Sequence, residues 1–420
     1  MMKILLSIVL ILCMGLACVR AEQAAPADAL SSKLENERRE VWEEYVRRRL
    51  DDETLKTETA GQALAFGGVT MRYTVEVIGE KPEGGYPLYI ALHGGGQSDT
   101  PDINDQQWGH MQVYYRRWLK CGVYVAVRGV RDTWDTHFNP ESYPLYDRLI
   151  EYMILTQDVD PNRVYLEGFS AGGDGVYAVA PRMADRFAAA NMSSGHPNSV
   201  NLTNLYNLPM QLQAGEFDTA YDRNTVTAEY GIYLDRLAEE AGGGYEHRTL
   251  IHFGAGHNYA DYSPMPLPVM KDSRAWLENG KRVIERIDSF PPDWMNGFVR
   301  EPLPKTVVWD LSTRAGQREV TSFYYLRAPF SAKGTIRADI QDNVVKIGTT
   351  DFEGDFDILF NEAMVDFSRP VTFILNGREI SLMLEPDHEL LVETTFERGD
   401  PNYQFEAAVS YSQLLQAAAE

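Results

Sequence analysis

A serine flanked by glycines stands between an apolar segment and a helical segment near the middle of the chain. The hexapeptide Gly168–Gly173, with the sequence Gly-Phe-Ser-Ala-Gly-Gly, follows the apolar run Val164–Glu167 and leads into a helical pattern at 174–185. Glycines at these positions permit a sharp strand-to-helix turn, which places the central residue in a strained conformation. The pattern therefore predicts that the Ser170 hydroxyl is presented at the edge of a sheet.

The sequence around this turn alternates between short apolar runs and longer helical patterns. Helical patterns occupy 104–120, 144–157, 174–185 and 225–241. The strand-like runs are Val69–Ile78, Leu88–Leu92, Tyr124–Val127, Val164–Glu167, Ala188–Met192, Met210–Ala214 and Arg248–Phe253. This alternation predicts an α/β fold, a mostly parallel sheet with helices on both faces.

Beyond residue 295 the helical patterns stop and strand-like runs follow a proline-rich linker. The pair Asn376-Gly377 between two apolar runs predicts a two-residue hairpin, because both turn positions need positive φ. The strand-like runs are Thr306–Leu311, Ser322–Arg327, Thr335–Ile340, Val344–Ile347, Phe356–Phe360, Val371–Leu375, Ile380–Leu384 and Leu390–Thr395. They predict a C-terminal all-β, sandwich-like domain.

The resulting domain prediction has four parts. Residues 1–21 form a signal peptide, 22–64 a charged N-terminal helix, 65–295 the α/β domain and 296–420 the β domain. Lys3 precedes the apolar run Ile4–Ala17, which is too short to span a bilayer, so we expect an exported protein. Leu16-Ala17-Cys18 loosely matches a lipoprotein cleavage box, and lipid anchoring at Cys18 is the alternative by which the protein would contact a membrane.

Charge excludes one class of partner. The 61 Asp and Glu residues against 39 Lys and Arg give a net charge of −22. A nucleic-acid-binding protein needs a basic face to neutralise phosphates, so no nucleic-acid partner is expected. No His-Glu-x-x-His or similar spacing occurs, and we expect neither a metal nor another cofactor.

The glycine run after the second strand-like run predicts a site for a developing oxyanion. His93-Gly94-Gly95-Gly96 follows Leu88–Leu92 directly. Glycines there leave backbone N–H groups accessible, so Gly95 and Gly96 are candidate donors together with the N–H of Ala171. His93 is interpreted as a structural brace. The alternative is that the glycines form only a flexible turn.

A serine hydroxyl becomes a useful nucleophile when a histidine accepts its proton and a carboxylate orients that histidine. His257 follows the Gly-Ala-Gly turn after the last strand of the α/β region, which makes it the candidate base. Asp218 follows the strand Met210–Ala214 and is the candidate acid, with Asp222 and Glu216 as alternatives. His252 lies within a strand and is expected to be structural.

At these residues the sequence resembles the α/β-hydrolase superfamily over about 65–290. It is most similar to the prolyl-oligopeptidase-like esterases and to the feruloyl esterase and poly(3-hydroxybutyrate) depolymerase-like group. The resemblance is carried by Gly168–Gly173 and by the turn Gly215–Asp218. It implies a Ser170–Asp218–His257 triad. The chain differs from prolyl oligopeptidases in having no β-propeller before the hydrolase region, and from secreted depolymerases in having few cysteines.

The loop Arg128–Tyr146 is rich in aromatic residues and is the candidate wall of a substrate site. Trp134 is the candidate platform for an aryl or sugar group, with His196 and Tyr221 as further contacts; the alternative is that the rings only pack the loop. Three functions stay open. They are an exported carboxylic-ester hydrolase acting on small or polysaccharide-linked esters, a serine peptidase, and a carbohydrate-binding protein with a vestigial hydrolase domain.

Overall fold

The computed structural model describes residues 26–252, 254–258, 270–272, 291–314 and 321–419. The predicted signal peptide and Cys18 lie outside these residues. Among the helices that are described, none is both long enough and apolar enough to cross a membrane.

Nine α-helices occur in the described part of the chain. Four of them coincide with the helical patterns of the α/β region, with boundaries shifted by a few residues. The helices are α1 (Pro26–Asp51), α2 (Glu53–Gly61), α3 (Ile103–Tyr114), α4 (Ser142–Gln157), α5 (Ala171–Val179), α6 (Arg223–Ala241), α7 (Pro291–Met295), α8 (His388–Arg398) and α9 (Tyr411–Ala417).

A nine-stranded sheet forms the centre of the α/β region. Its strands are β1 (Ala63–Phe66), β2 (Val69–Ile78), β3 (Tyr86–Leu92), β4 (Gly122–Val127), β5 (Val159–Phe169), β6 (Ala189–Ser193), β7 (Met210–Gly215), β8 (His247–His252) and β9 (Met270–Asp272). The order is β1-β2-β4-β3-β5-β6-β7-β8-β9. Pairing is parallel from β4 through β8 and antiparallel at both ends, which confirms the predicted mostly parallel sheet. All residues of β4, β6 and β7 are buried, as expected for strands covered on both faces.

Two smaller sheets follow in the C-terminal region and confirm the predicted β-rich part. Their strands are β10 (Thr306–Asp310), β11 (Ser322–Phe323), β12 (Leu326–Arg327), β13 (Lys333–Gln341), β14 (Val344–Glu353), β15 (Asp357–Phe360), β16 (Val371–Leu375), β17 (Arg378–Leu382) and β18 (Ala407–Ser410). The sheet orders are β10-β13-β14-β16-β17 and β11-β12-β15-β18. The predicted hairpin is confirmed, since β16 and β17 pair antiparallel across Asn376 and Gly377, whose φ values are 52° and 77°.

The predicted strand at Leu390–Thr395 is wrong, because these residues belong to α8. The Asp387 side chain accepts a 2.8 Å hydrogen bond from the Glu389 N–H and caps the helix, and Gly399 ends it with a φ of 60°. Leu391, Thr394 and Thr395 are buried, a spacing that fits one face of a helix. Burial of that face outweighs the β propensity of its threonines.

The N-terminal helix α1 contacts both the α/β region and the C-terminal region. Tyr45 donates a 2.6 Å hydrogen bond to Glu151 of α4 and packs edge-on against Phe396 of α8, with ring centroids 5.1 Å apart. Arg38 forms an ion pair with Glu362 at 2.7 Å. The helix therefore bridges two parts of the chain that are far apart in sequence.

A buried cluster of ion pairs joins the C-terminal region to the α/β region. Asp400, which follows α8, lies 2.7 Å from Arg300 Nη2 and 3.1 Å from Arg186 Nη1, and it is 1% exposed. Arg398 pairs with Asp185 beside it. Burial alone would raise the pKa of Asp400, but the cations of Arg300 and Arg186 hold it below its usual value.

We expect Asp400→Asn to lower the free energy of unfolding by about 3–5 kcal/mol, because it removes an anion shared by two buried guanidinium groups, and among the described residues only Arg186 keeps another, Asp147 at 3.2 Å. Glu393→Gln is the matched control: it removes an anion that pairs with Arg327 at 2.8 Å but whose side chain is 60% exposed. Exposed pairs contribute less than about 1 kcal/mol. Urea unfolding of both variants measures the difference, and equal losses would contradict a structural role for the cluster.

Candidate active site

Ser170 occupies the sharp turn between β5 and α5. Its φ is 59° and its ψ is −121°, a conformation that L-residues rarely adopt, and its N–H donates a 2.9 Å hydrogen bond to the Ser193 carbonyl. A Cβ at Gly172 would lie 2.0 Å from the Leu92 carbonyl oxygen, and one at Gly168 would lie 2.2 Å from the Gly172 oxygen. A side chain at either position would collide with backbone atoms, so glycine is required on both sides of the serine.

The structure brings the three predicted triad residues together. His257 Nε2 lies 3.0 Å from Ser170 Oγ, and His257 Nδ1 lies 2.9 Å from Asp218 Oδ2. Asp218 is only 2% exposed. This arrangement fits a histidine whose Nδ1–H donates to the carboxylate while Nε2 accepts the serine proton.

The two alternative acids occupy other positions. Glu216 Oε2 accepts a 3.0 Å hydrogen bond from the Gly254 N–H, so it contacts the loop before His257 rather than the imidazole. Asp222 is exposed and immediately precedes α6. The geometry thus favours Asp218 among the three carboxylates.

The candidate oxyanion donors need one correction. The Gly96 N–H already donates a 2.7 Å hydrogen bond to Asn104 Oδ1, and Asn104 Nδ2 donates back to the Gly96 carbonyl at 2.9 Å. Within the described residues the N–H groups of Gly95 and Ala171 have no acceptor, and both residues border the same cavity as Ser170. The structure therefore favours Gly95 with Ala171, while Gly96 fixes the turn through Asn104.

His93 stabilises this glycine turn through buried hydrogen bonds. It is fully buried, its Nε2 accepts a 3.0 Å hydrogen bond from the Gly129 N–H, and its carbonyl lies 2.8 Å from His137 Nε2. Burial lowers the pKa of His93 to about 4, so the ring is neutral at pH 7. His93 and His137 thus hold the loop after β4 against the glycine turn.

A cavity of about 530 Å³ opens at Ser170. All three predicted substrate contacts, Trp134, His196 and Tyr221, border it. Trp134 is 53% exposed and packs its edge on Phe138, with ring centroids 5.2 Å apart. The other aromatic residues of the loop are buried, so within this loop only Trp134 presents an exposed ring to the cavity. Those buried residues are His137, Phe138, Tyr143 and Tyr146.

Asp174 and Arg223 are two of the charged residues that border the cavity. Arg223 packs over the Tyr221 ring at 4.8 Å, and its Nη1 lies 4.0 Å from Asp218 Oδ1. Asp174, in the first turn of α5, accepts a 2.6 Å hydrogen bond from the His196 N–H. Burial raises the pKa of Asp174 from 3.8 to about 6, although the His196 hydrogen bond and the Arg223 charge act in the opposite direction. The position of Asp174 just after the glycines was a usable signal, and Arg223 belongs to the segment 221–224 beside the candidate acid, from which polar contacts could be predicted.

The strand order and the position of the serine define the class of protein. A parallel sheet with a nucleophile at a strand-to-helix turn, followed along the chain by an acid and a histidine after later strands, is the arrangement of the α/β-hydrolase superfamily. The chain has this fold.

Solved structures with a similar fold include several esterases. A thermostable esterase is 19% identical with a TM-score of 0.40; the match covers 57% of this chain and 62% of that one, so the chain spans less than two thirds of it. LpqC, a poly(3-hydroxybutyrate) depolymerase from Bordetella parapertussis, is 15% identical with a TM-score of 0.37, covering 56% and 96%. Est1E from Butyrivibrio proteoclasticus, solved with ferulic acid bound, is 15% identical with a TM-score of 0.32, covering 48% and 92%. No protein-family model and no curated protein matches the sequence.

Asp174 gives a prediction about pH. Its carboxyl group holds a proton more tightly in the folded chain than in the unfolded chain, because the pKa is about 6 rather than 3.8. The free energy of unfolding of the wild type should therefore fall, relative to Asp174→Asn, as the pH rises from 4 to 6, by roughly 2 kcal/mol. Urea unfolding at several pH values measures this difference. Asp99→Asn, which changes an exposed carboxylate of the same cavity, is the control and should follow the wild type.

Proposed function

We propose that the protein is a serine hydrolase that cleaves carboxylic esters. The observation that carries this proposal is the position of His257, with one ring nitrogen 3.0 Å from the Ser170 hydroxyl and the other 2.9 Å from Asp218. A buried carboxylate, an imidazole and a serine in this order are the parts that acyl transfer through a serine requires.

The proposed reaction has two halves. In the first, Ser170 Oγ attacks the ester carbonyl while His257 Nε2 takes its proton, and Asp218 stabilises the imidazolium that forms. The N–H groups of Gly95 and Ala171 stabilise the negative charge that develops on the carbonyl oxygen. His257 then gives its proton to the leaving alcohol, and an acyl ester stays on Ser170. In the second half, His257 activates a water molecule that releases the acid and regenerates the serine.

The substrate and the location are part of the proposal. An open cavity bordered by the half-exposed ring of Trp134 and by polar side chains supports esters whose acyl or alcohol part carries an aryl group or a sugar. The predicted signal peptide supports export. Peptidase activity would use the same triad and is the second outcome that the experiments below must distinguish.

An activity-based fluorophosphonate probe tests the nucleophile. We expect the probe to label the wild-type protein at Ser170 and to leave Ser170→Ala unlabelled, because the probe reacts with an activated serine. A folded wild type that stays unlabelled would favour a carbohydrate-binding protein with a vestigial site. A panel of aryl esters, acetylated or feruloylated xylan and chromogenic peptides then separates esterase from peptidase.

The acid is tested by Asp218→Asn, which keeps the shape of the side chain but removes its charge. We expect kcat to fall about 10⁴-fold on an aryl ester, as for triad acids in general. Asp222→Asn is the matched control in the same turn and should change kcat little. Near-normal turnover of Asp218→Asn would show that another carboxylate orients His257.

A further inference from the structure

A second cavity, of about 310 Å³, adjoins the cavity at Ser170. Three residues, Trp134, Asp174 and Asn198, border both cavities. The second cavity therefore continues the first one away from the nucleophile. A ligand bound across Trp134 would reach both.

The loop after β6 separates the two cavities and is strained. Ser194, Asn198 and Ser199 have φ values of 51°, 49° and 60°, although none of them is glycine. Such conformations cost about 1–3 kcal/mol each and persist where the surrounding structure enforces them, often at binding sites. Asn198 and Ser199 border the second cavity with polar side chains.

The far wall of the second cavity comes from the C-terminal region. A short 3₁₀ turn, Leu311–Arg314, follows β10 and places Ser312 and Thr313 there. Asn204, in the chain between β6 and β7, holds this turn: its Nδ2 donates to Thr313 Oγ1 at 2.9 Å, and its Oδ1 accepts the Asp310 N–H at 2.7 Å. The contact gives the C-terminal region a fixed place beside the candidate active site.

The lining has the chemistry of a sugar site. Hydroxyl and amide groups come from Asn198, Ser199, Asn201, Ser312 and Thr313. Apolar side chains come from Phe138, Ala178, Pro197 and Val200. The single cation, Arg182, faces the same cavity as the carboxyl group of Asp174, so neither charge is in excess among the lining residues. Trp134 offers an aromatic surface, on which the apolar face of a sugar ring packs well. A neutral sugar ring, with hydroxyl groups at its edge and apolar C–H faces, fits this mixed lining better than an anion.

We infer that the second cavity is a subsite for a further sugar unit of a neutral oligosaccharide whose ester group reacts at Ser170. The inference rests on the proposed ester hydrolysis and adds to it a substrate class and a binding role for the turn Leu311–Arg314. Trp134 and Asp174 are then shared contacts between the esterified unit and the next one.

Ser312→Trp tests the subsite by filling it. Ser312 is exposed and its N–H bonds to Asp310 Oδ1 at 2.8 Å, so the substitution leaves the core and the turn in place. Ser368→Trp is the matched control: Ser368 is also exposed, and its N–H bonds to Asp366 Oδ1 at 2.9 Å in the same local geometry, far from either cavity lining. The substrates are 4-nitrophenyl acetate and the acetyl and feruloyl esters of xylo-oligosaccharides of increasing length, assayed with the full mature chain.

The measured quantity is kcat/KM for an esterified oligosaccharide divided by kcat/KM for 4-nitrophenyl acetate. We expect this ratio to rise with chain length in the wild type and in Ser368→Trp, and to be about five- to tenfold lower in Ser312→Trp, the loss of roughly one packing contact. A ratio that is independent of chain length, or equal in the two variants, would overturn the subsite. Fluorophosphonate labelling of all three proteins separates the outcomes. If the proteins are labelled but the kcat/KM ratio does not rise with oligosaccharide length, the subsite alone is refuted. If the folded proteins stay unlabelled, the proposed hydrolysis is refuted as well.

Discussion

The carboxyl end of β6 holds the candidate nucleophile and the candidate base in one place. The Ser193 carbonyl accepts the Ser170 N–H at 2.9 Å, and the hydroxyl of the next residue, Ser194, donates to the His257 carbonyl at 3.0 Å. Two segments that are 87 residues apart in the chain thus bind at the end of one strand, to its last residue and to the residue that follows it. Because β6 lies between β5 and β7 and is fully buried, this point of attachment has little freedom to move. This attachment therefore sets the distance between the Ser170 hydroxyl and the His257 imidazole.

Backbone contacts at the start of α5 fix the rest of the site relative to the serine. Gly172 touches the Leu92 carbonyl, so the helix lies directly against the end of β3, from which the glycine turn at 94–96 begins. The N–H groups of Gly95 and Ala171 consequently face one cavity with Ser170. Donors that are held in place before the substrate binds need no rearrangement during the reaction, which is the condition under which they stabilise an oxyanion most strongly.

Sequence reasoning located the site because the site depends on local backbone geometry. Only glycine fits at Gly168 and Gly172, so the sequence marks the turn at these two positions. The strands that precede Asp218 and His257 are predicted from short apolar runs. Contacts that depend on the fold as a whole left no such signal: the sequence does not show that Asn104 accepts a hydrogen bond from the Gly96 N–H. The prediction of a strand at Leu390–Thr395 was wrong for a similar reason, because the buried face of α8 is recognised only from the residues that pack against it.

In the proposed reaction, chemistry and selectivity are carried by different parts of the chain. The triad and the oxyanion donors all follow strands of the large sheet or begin α5, where parallel pairing dictates their positions. The walls of the cavities instead come from the loop before α4, the strained loop after β6 and the turn after β10. Asn204 holds the turn after β10 against the α/β region. The buried ion pairs of Asp400 with Arg186 and Arg300 attach the segment after α8 to the same region. Since the C-terminal region is bound to the α/β region at both places, we expect a change in its turn to alter the shape of the cleft without moving Ser170, so that substrate preference changes while the proposed reaction stays the same.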